Sequence, residues 1–286
     1  MCRHALTLAL VGLSVALPAA GQQVSDFQFF PIVARTAGVG GTQWVSDLTM
    51  FNPHDYSLVV GLQFFPADQA NVFDPLFPTR VTLDARETVI LEDVIHGVFG
   101  YDTDVKGALI TSSDHDLLPA NPENDDFAAV TRTYNIGDPA GTFGQTVPAL
   151  ESTYNPGPWP SIATGARNDD DFRSNLGIVS LSLFEEIQVH YRILAADGST
   201  LVEGVKTIPT ASVRQWSFAQ LGVGRVAGPL TVELWLDPDS LTPDPCNVDF
   251  PNMFVGYVSK VDGNPDGTGD GEFIYATPTE ELDCPD

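Results

Sequence analysis

The chain carries one ordered set of short apolar segments twice, and this repetition restricts its fold more than any single motif. Residues 44–52 (WVSDLTMFN) and 172–180 (FRSNLGIVS) each place an aromatic residue and a Ser-Asp or Ser-Asn pair ahead of an apolar run. Further along, 58–65 (LVVGLQFF) corresponds to 187–194 (IQVHYRIL), and 81–94 (VTLDARETVILEDV) to 207–220 (TIPTASVRQWSFAQ). The series closes with 107–110 (GALI) against 228–231 (GPLT), and 127–130 (FAAV) against 254–257 (FVGY). Single matches of this length arise by chance. Five in one order, at an offset of about 121–130 positions, mark an internal duplication with each unit the size of a small sandwich domain.

The repeated segments read as strands. Ile187-Gln188-Val189-His190-Tyr191-Arg192-Ile193-Leu194 alternates apolar and polar residues as a half-buried strand does. Turn signals at Asn52-Pro53, Asp197-Gly198, Pro238-Asp239 and Asp266-Gly267 separate the runs. The 25 glycines and 22 prolines show no period, which fits many turns between short strands, and 43% hydrophobic residues are enough for a packed core. Helical turns are expected only near 91–99 and 218–222, equivalent places in the two copies. The expected fold is all-β: two tandem Ig-like antiparallel β-sandwich domains, 22–155 and 156–286, after a leader at 1–21. The Pro-rich stretch 150–171, ending in Asn168-Asp169-Asp170-Asp171, reads as a linker or lead-in to a first strand.

The leader reading rests on Arg3 and His4, an almost wholly apolar run over 5–20, and small residues Ala19-Ala20-Gly21 before Gln22, the pattern of a secretory signal peptide. An uncleaved anchor is the alternative, but the run falls short of the roughly 20 apolar residues that a span prefers. Cleavage removes Cys2 and leaves Cys246 and Cys284, which in an oxidising compartment pair most simply as a disulfide. Without matched histidines they make a poor metal site. The expected protein is therefore secreted, periplasmic or extracellular, with no membrane insertion after cleavage. Its formal charge of −25, from 13 basic and 38 acidic residues, repels nucleic acid and anionic membrane surfaces and attracts cations.

Phe30-Pro31-Ile32-Val33-Ala34-Arg35, followed by Gly40-Gly41-Thr42-Gln43-Trp44-Val45-Ser46-Asp47-Leu48 and a strand ending in Asn52-Pro53, resembles a group of secreted bacterial proteins common in environmental lineages such as Acidobacteria. Arg132-Thr133-Tyr134-Asn135 and Gly141-Thr142-Phe143-Gly144-Gln145 are similar to recurring segments of that group. The resemblance implies an extracellular β-sandwich protein, carries no established activity, and transfers no catalytic residue.

Among candidate sites, the sharpest signal is Asp262-Gly263-Asn264-Pro265-Asp266-Gly267-Thr268-Gly269-Asp270-Gly271-Glu272. Oxygen donors at alternate positions of a tight loop converge on one hard cation, so Asp262, Asn264, Asp266, Thr268, Asp270 and Glu272 form a candidate calcium set. The twelfth position is Phe273 rather than a bidentate Glu, and the flanks read as strands. A polar hairpin tip is thus the competing account. The acidic clusters 121–126 and 168–171 read as solvated loops.

No G-x-S-x-G elbow, H-E-x-x-H or phosphate loop opening a helix is present. His54, His96, His115 and His190 are scattered, and His190 reads as a sheet-surface residue. Of the tryptophans, Trp44 is expected in the core because its repeat equivalent is Phe172, and Trp235 is expected to pack within a strand. Trp159, between prolines, is the best placed to meet a ligand. The expected function is a secreted, non-catalytic structural or interaction protein whose partner is a protein or glycan surface. One alternative is a carbohydrate-binding module, calcium-assisted. The other is a glycoside hydrolase-like enzyme whose carboxylates meet only in the fold.

Overall fold

A computed structural model describes residues 24–38, 41–102, 104–137, 141–150, 154–248, 251–262, 269–282 and 284. The chain is all-β and antiparallel. Its first half comprises β1 (Val24–Ser25), β2 (Phe27–Ala37), β3 (Gln43–Phe51), β4 (Leu58–Pro66), β5 (Thr79–Leu83) and β6 (Thr88–Leu91). A one-turn helix, α1 (Val94–Gly97), then precedes β7 (Val105–Ser112), β8 (Phe127–Asn135) and β9 (Phe143–Pro148). One layer holds β6, β3, β8 and β9, and the other holds β5, β4, β7 and β2. The end of β2 crosses to pair with β3 through Thr36 and Ala37, which joins the layers.

The second half comprises β10 (Ser161–Asn168), β11 (Phe172–Ser180), β12 (Ile187–Leu194), β13 (Thr200–Ile208), β14 (Val213–Ser217), β15 (Val226–Leu236), β16 (Phe254–Asp262) and β17 (Gly271–Pro278). Its ladders follow the scheme of the first half. β11 lies between β14 and β16 as β3 lies between β6 and β8. β12 lies between β13 and β15 as β4 lies between β5 and β7. The helical turn expected near 91–99 is α1, whereas 218–222 forms hydrogen-bonded turns without a helix. The Pro-rich stretch resolves into two parts. Leu150 bridges Phe29 and Asn155 bridges Phe254, so the chain passes from one half to the other between them, and Ser161–Asn168 is a full strand.

Each half has its own apolar filling: Phe30, Leu48, Met50, Leu62 and Phe127 in the first, Leu176, Ile178, Ile193, Leu234 and Phe254 in the second. A third cluster lies between the halves and joins Phe29, Phe65, Phe77 and Ile110 to Val179, Val213, Val255 and Tyr257. Strand alternation explains how one strand serves two cores. On β7, Leu109 points into the first filling, while Ala108 and Ile110 point at the second half. On β16, Phe254 and Val258 face one way, and Val255 and Tyr257 the other. The molecule is thus four sheet layers with three apolar fillings, and the central strands of the two inner layers, β7 and β16, are buried on both faces along most of their length. Among the described residues, no helix is long and apolar enough to cross a membrane.

Candidate functional site

The seam between the inner layers is apolar along most of its length and turns polar at one end. The change occurs an even number of residues along each contributing strand, which keeps it on the same face. Ala108 and Ile110 give way to Lys106 on β7, and Val147 to Gln145 on β9. On the second half, Val179 gives way to Asn175 and Arg173, Val213 to Gln215, and Tyr257 to Ser259. These polar side chains line one cleft of about 440 Å³, which Trp44, Asp68 and Asp104 complete. At the opposite end of the same strands, Phe27, Phe29, Leu117, Leu181 and Met253 surround a second, apolar cavity of about 500 Å³.

Within the polar cleft, Gln145 and Ser259 bridge the halves through two hydrogen bonds, Nε2 donating to Ser259 Oγ at 3.0 Å and Oε1 accepting from it at 3.1 Å. Lys106 Nζ donates across the seam to Gln215 Oε1 at 3.3 Å, and Arg173 donates to the backbone carbonyl of Asp262 at 3.1 Å. Burial pushes both cations below their ordinary pKa values, against the partial support of Asp68 for Lys106 and Asp262 for Arg173. Neither has a carboxylate oxygen within 4.0 Å among the described residues, whereas Arg35, Arg86, Arg167, Arg192, Arg225 and Lys260 each do. Of the cleft carboxylates, Asp104 accepts from the Ala37 amide at 3.1 Å, and Asp68 lies 3.7 Å from Arg214.

Trp44 departs from the expected core position. It is half-buried on the cleft wall, its indole N–H donating to Thr42 Oγ1 at 3.1 Å. None of the four tryptophans is fully buried. Trp159 is half-buried over Gly157, with its indole nitrogen buried and unpartnered among the described residues. Trp235 stacks on His190 at 5.2 Å on the outer sheet, where His190 also meets Asp237 at 2.7 Å, so His190 is a sheet-surface residue.

Of the candidate calcium donors, Asn264, Asp266 and Thr268 lie outside the described residues. The ends of that loop close through the Asp262 amide donating to the Asp270 carbonyl at 2.8 Å, and Glu272 pairs with Lys260. Gly269 packs under Trp44, which brings the end of this loop to the cleft rim. Cys246 and Cys284 stand at disulfide distance, 2.02 Å between sulfurs, and tie the β15–β16 connection to the chain after β17. The cluster 121–126 is not simply solvated: Asn121 and Asp125 are buried, and Asn121 pairs with both backbone groups of Val59 at 2.8 Å.

Sequence reasoning singled out Trp159 and the acidic loop and passed over Lys106, Arg173, Gln145 and Gln215. The available signal was a polar residue in step with the apolar face of an otherwise buried strand, as Lys106 is with Ala108 and Ile110.

No protein-family model matches the chain, and no curated protein matches it. Among solved structures, Bacteroides uniformis beta-glucuronidase 2, covalently bound to cyclophellitol-6-carboxylate aziridine, aligns at 12% identity over 89% of this chain and 26% of its own, with a TM-score of 0.16. This chain spans about a quarter of that enzyme's length, and a likeness at that TM-score carries no argument.

Proposed function

We propose that the chain is an exported, non-catalytic interaction protein of duplicated Ig-like scaffold that takes its ligand into the polar cleft between its halves. The observation that carries this reading is the coordinated change, on five strands, from apolar to polar side chains at one end of the seam. A seam that served adhesion between the halves alone has no need of donors held at half burial. The volume of about 440 Å³ falls within the roughly 300–1,000 Å³ of small-molecule sites.

A carbohydrate ligand is the second reading, favoured by Trp44: a flat aromatic wall beside the amides of Gln145, Asn175 and Gln215 suits a sugar ring and its hydroxyls. Calcium in the 262–272 loop would act by holding the chain that meets Trp44 at the rim. A glycan array probed with and without chelator, on the parent and on Trp44→Ala, tests both. Binding that drops at least tenfold in Trp44→Ala, and weakens with chelator, is expected. Binding indifferent to Trp44 would remove the cleft as the site, and indifference to chelator would remove calcium.

A further inference from the structure

We propose that the cleft ligand is an oxyanion, a carboxylate or sulfate on a sugar-sized molecule, held between Lys106 and Arg173. This rests on the cleft being a binding site and names the chemistry that fills it.

The argument begins from charge. In a chain of net charge −25, cations find carboxylates easily, and Arg35, Arg86, Arg167, Arg192, Arg214, Arg225 and Lys260 each have one within 4.0 Å. Among the described residues, Lys106 and Arg173 have no carboxylate oxygen within 4.0 Å, although they come from different halves and line the same cleft. Both are half-buried, and burial disfavours their charged forms. Asp68 and Asp262 offset only part of that desolvation, and a partner that brings a negative charge into contact recovers more of it on binding. Lys106 spends one donor on Gln215 and Arg173 one on a backbone carbonyl, so each retains N–H groups for an incoming oxygen.

The carboxylates of the same cleft limit the charge that a ligand can bring. Asp68 and Asp104 line the cleft, Asp104 is held by the Ala37 amide, and Asp68 is drawn toward Arg214. Two cations and two carboxylates in one cleft suit a ligand carrying a single oxyanion better than a polyphosphate, whose several charges the carboxylates would repel. Asn175 and Trp44, both half-buried on the cleft wall, then receive the uncharged remainder.

Isothermal titration calorimetry of the full mature chain at low salt tests the proposal. The probes are galacturonate and N-acetylglucosamine 6-sulfate, set against neutral galactose and N-acetylglucosamine. One or both acids are expected to bind at least tenfold more tightly than their neutral counterparts, and whichever binds identifies the group as carboxylate or sulfate. Lys106→Met and Arg173→Met should each weaken that binding tenfold or more, and Lys206→Met, on the outer strand β13, should leave it unchanged.

Neutral sugars binding as well as acids, with loss in Trp44→Ala but not in the two Met variants, would overturn the anion assignment and leave the cleft standing. Acid binding that ignores Lys106, Arg173 and Trp44 alike would overturn both. Absence of acid binding overturns the anion assignment. Melting separates recognition from structure: the Met variants should melt no lower than the parent, and a drop of about ten degrees would reassign the pair to holding the seam.

Discussion

Single residues show where this fold tolerates a cost. Asp125 is 4% exposed, and its Oδ2 is buried with no hydrogen-bond partner among the described residues. Burial, with Asp26 and Asp114 nearby, raises its carboxyl above the ordinary value of 3.8. A raised carboxyl contributes stability below pH 3.8 and loses it as pH climbs through the native value, so at pH 7 the ionised group works against folding. Asp125→Asn should therefore melt above the parent at pH 7, with the gap closing toward pH 3. Thermal scans at both pH values check this, and a gap of constant size would show that the carboxylate charge is not its cause.

Elements show how the seam is built. A β-carbon at Gly177 would fall within the ring of Tyr257, and one at Gly61 would lie 2.5 Å from Phe77. In both halves an aromatic ring rests on a glycine of an inner strand, and that lets two double-faced sheets approach. Gly177→Ala should cost about 1–3 kcal/mol through overpacking. It is expected to lower the melting temperature by roughly 3–10 °C, as calorimetry can measure. A neutral outcome would mean that Tyr257 has room to move, against its full burial and its stacking on Phe273.

The outer strands were legible in the sequence: β12 alternates in its residues and equally in its burial. The inner strands were also visible, as runs such as GALIT and FVGYV that lack alternation, yet the partner covering their second face was not. Periodicity reports that a face is buried and is silent on what buries it. Lys106 and Arg173 went unnoticed for this reason. Trp44 was misplaced because its equivalence to Phe172 fixes a position on a strand, and the cleft beside it exists only once the halves meet.

At the scale of the whole molecule, the two halves contribute different groups. The cysteine pair and the Asp/Gly loop belong to the second half, while Trp44 and Lys106 come from the first. The cleft needs both. The seam also means that neither half is finished without the other, because each would expose an apolar inner sheet to water. The chain crosses between them once, between Leu150 and Asn155. Cut there, it becomes in effect a heterodimer whose subunits were made to fit. The two fragments, produced together, should copurify and regain the parent's cleft, whereas either fragment produced alone should aggregate or self-associate. Size-exclusion chromatography distinguishes these outcomes, and two well-behaved monomeric fragments would show the seam to be dispensable. Reassembly of such a pair would turn ligand binding at the polar end into a readable signal of complementation.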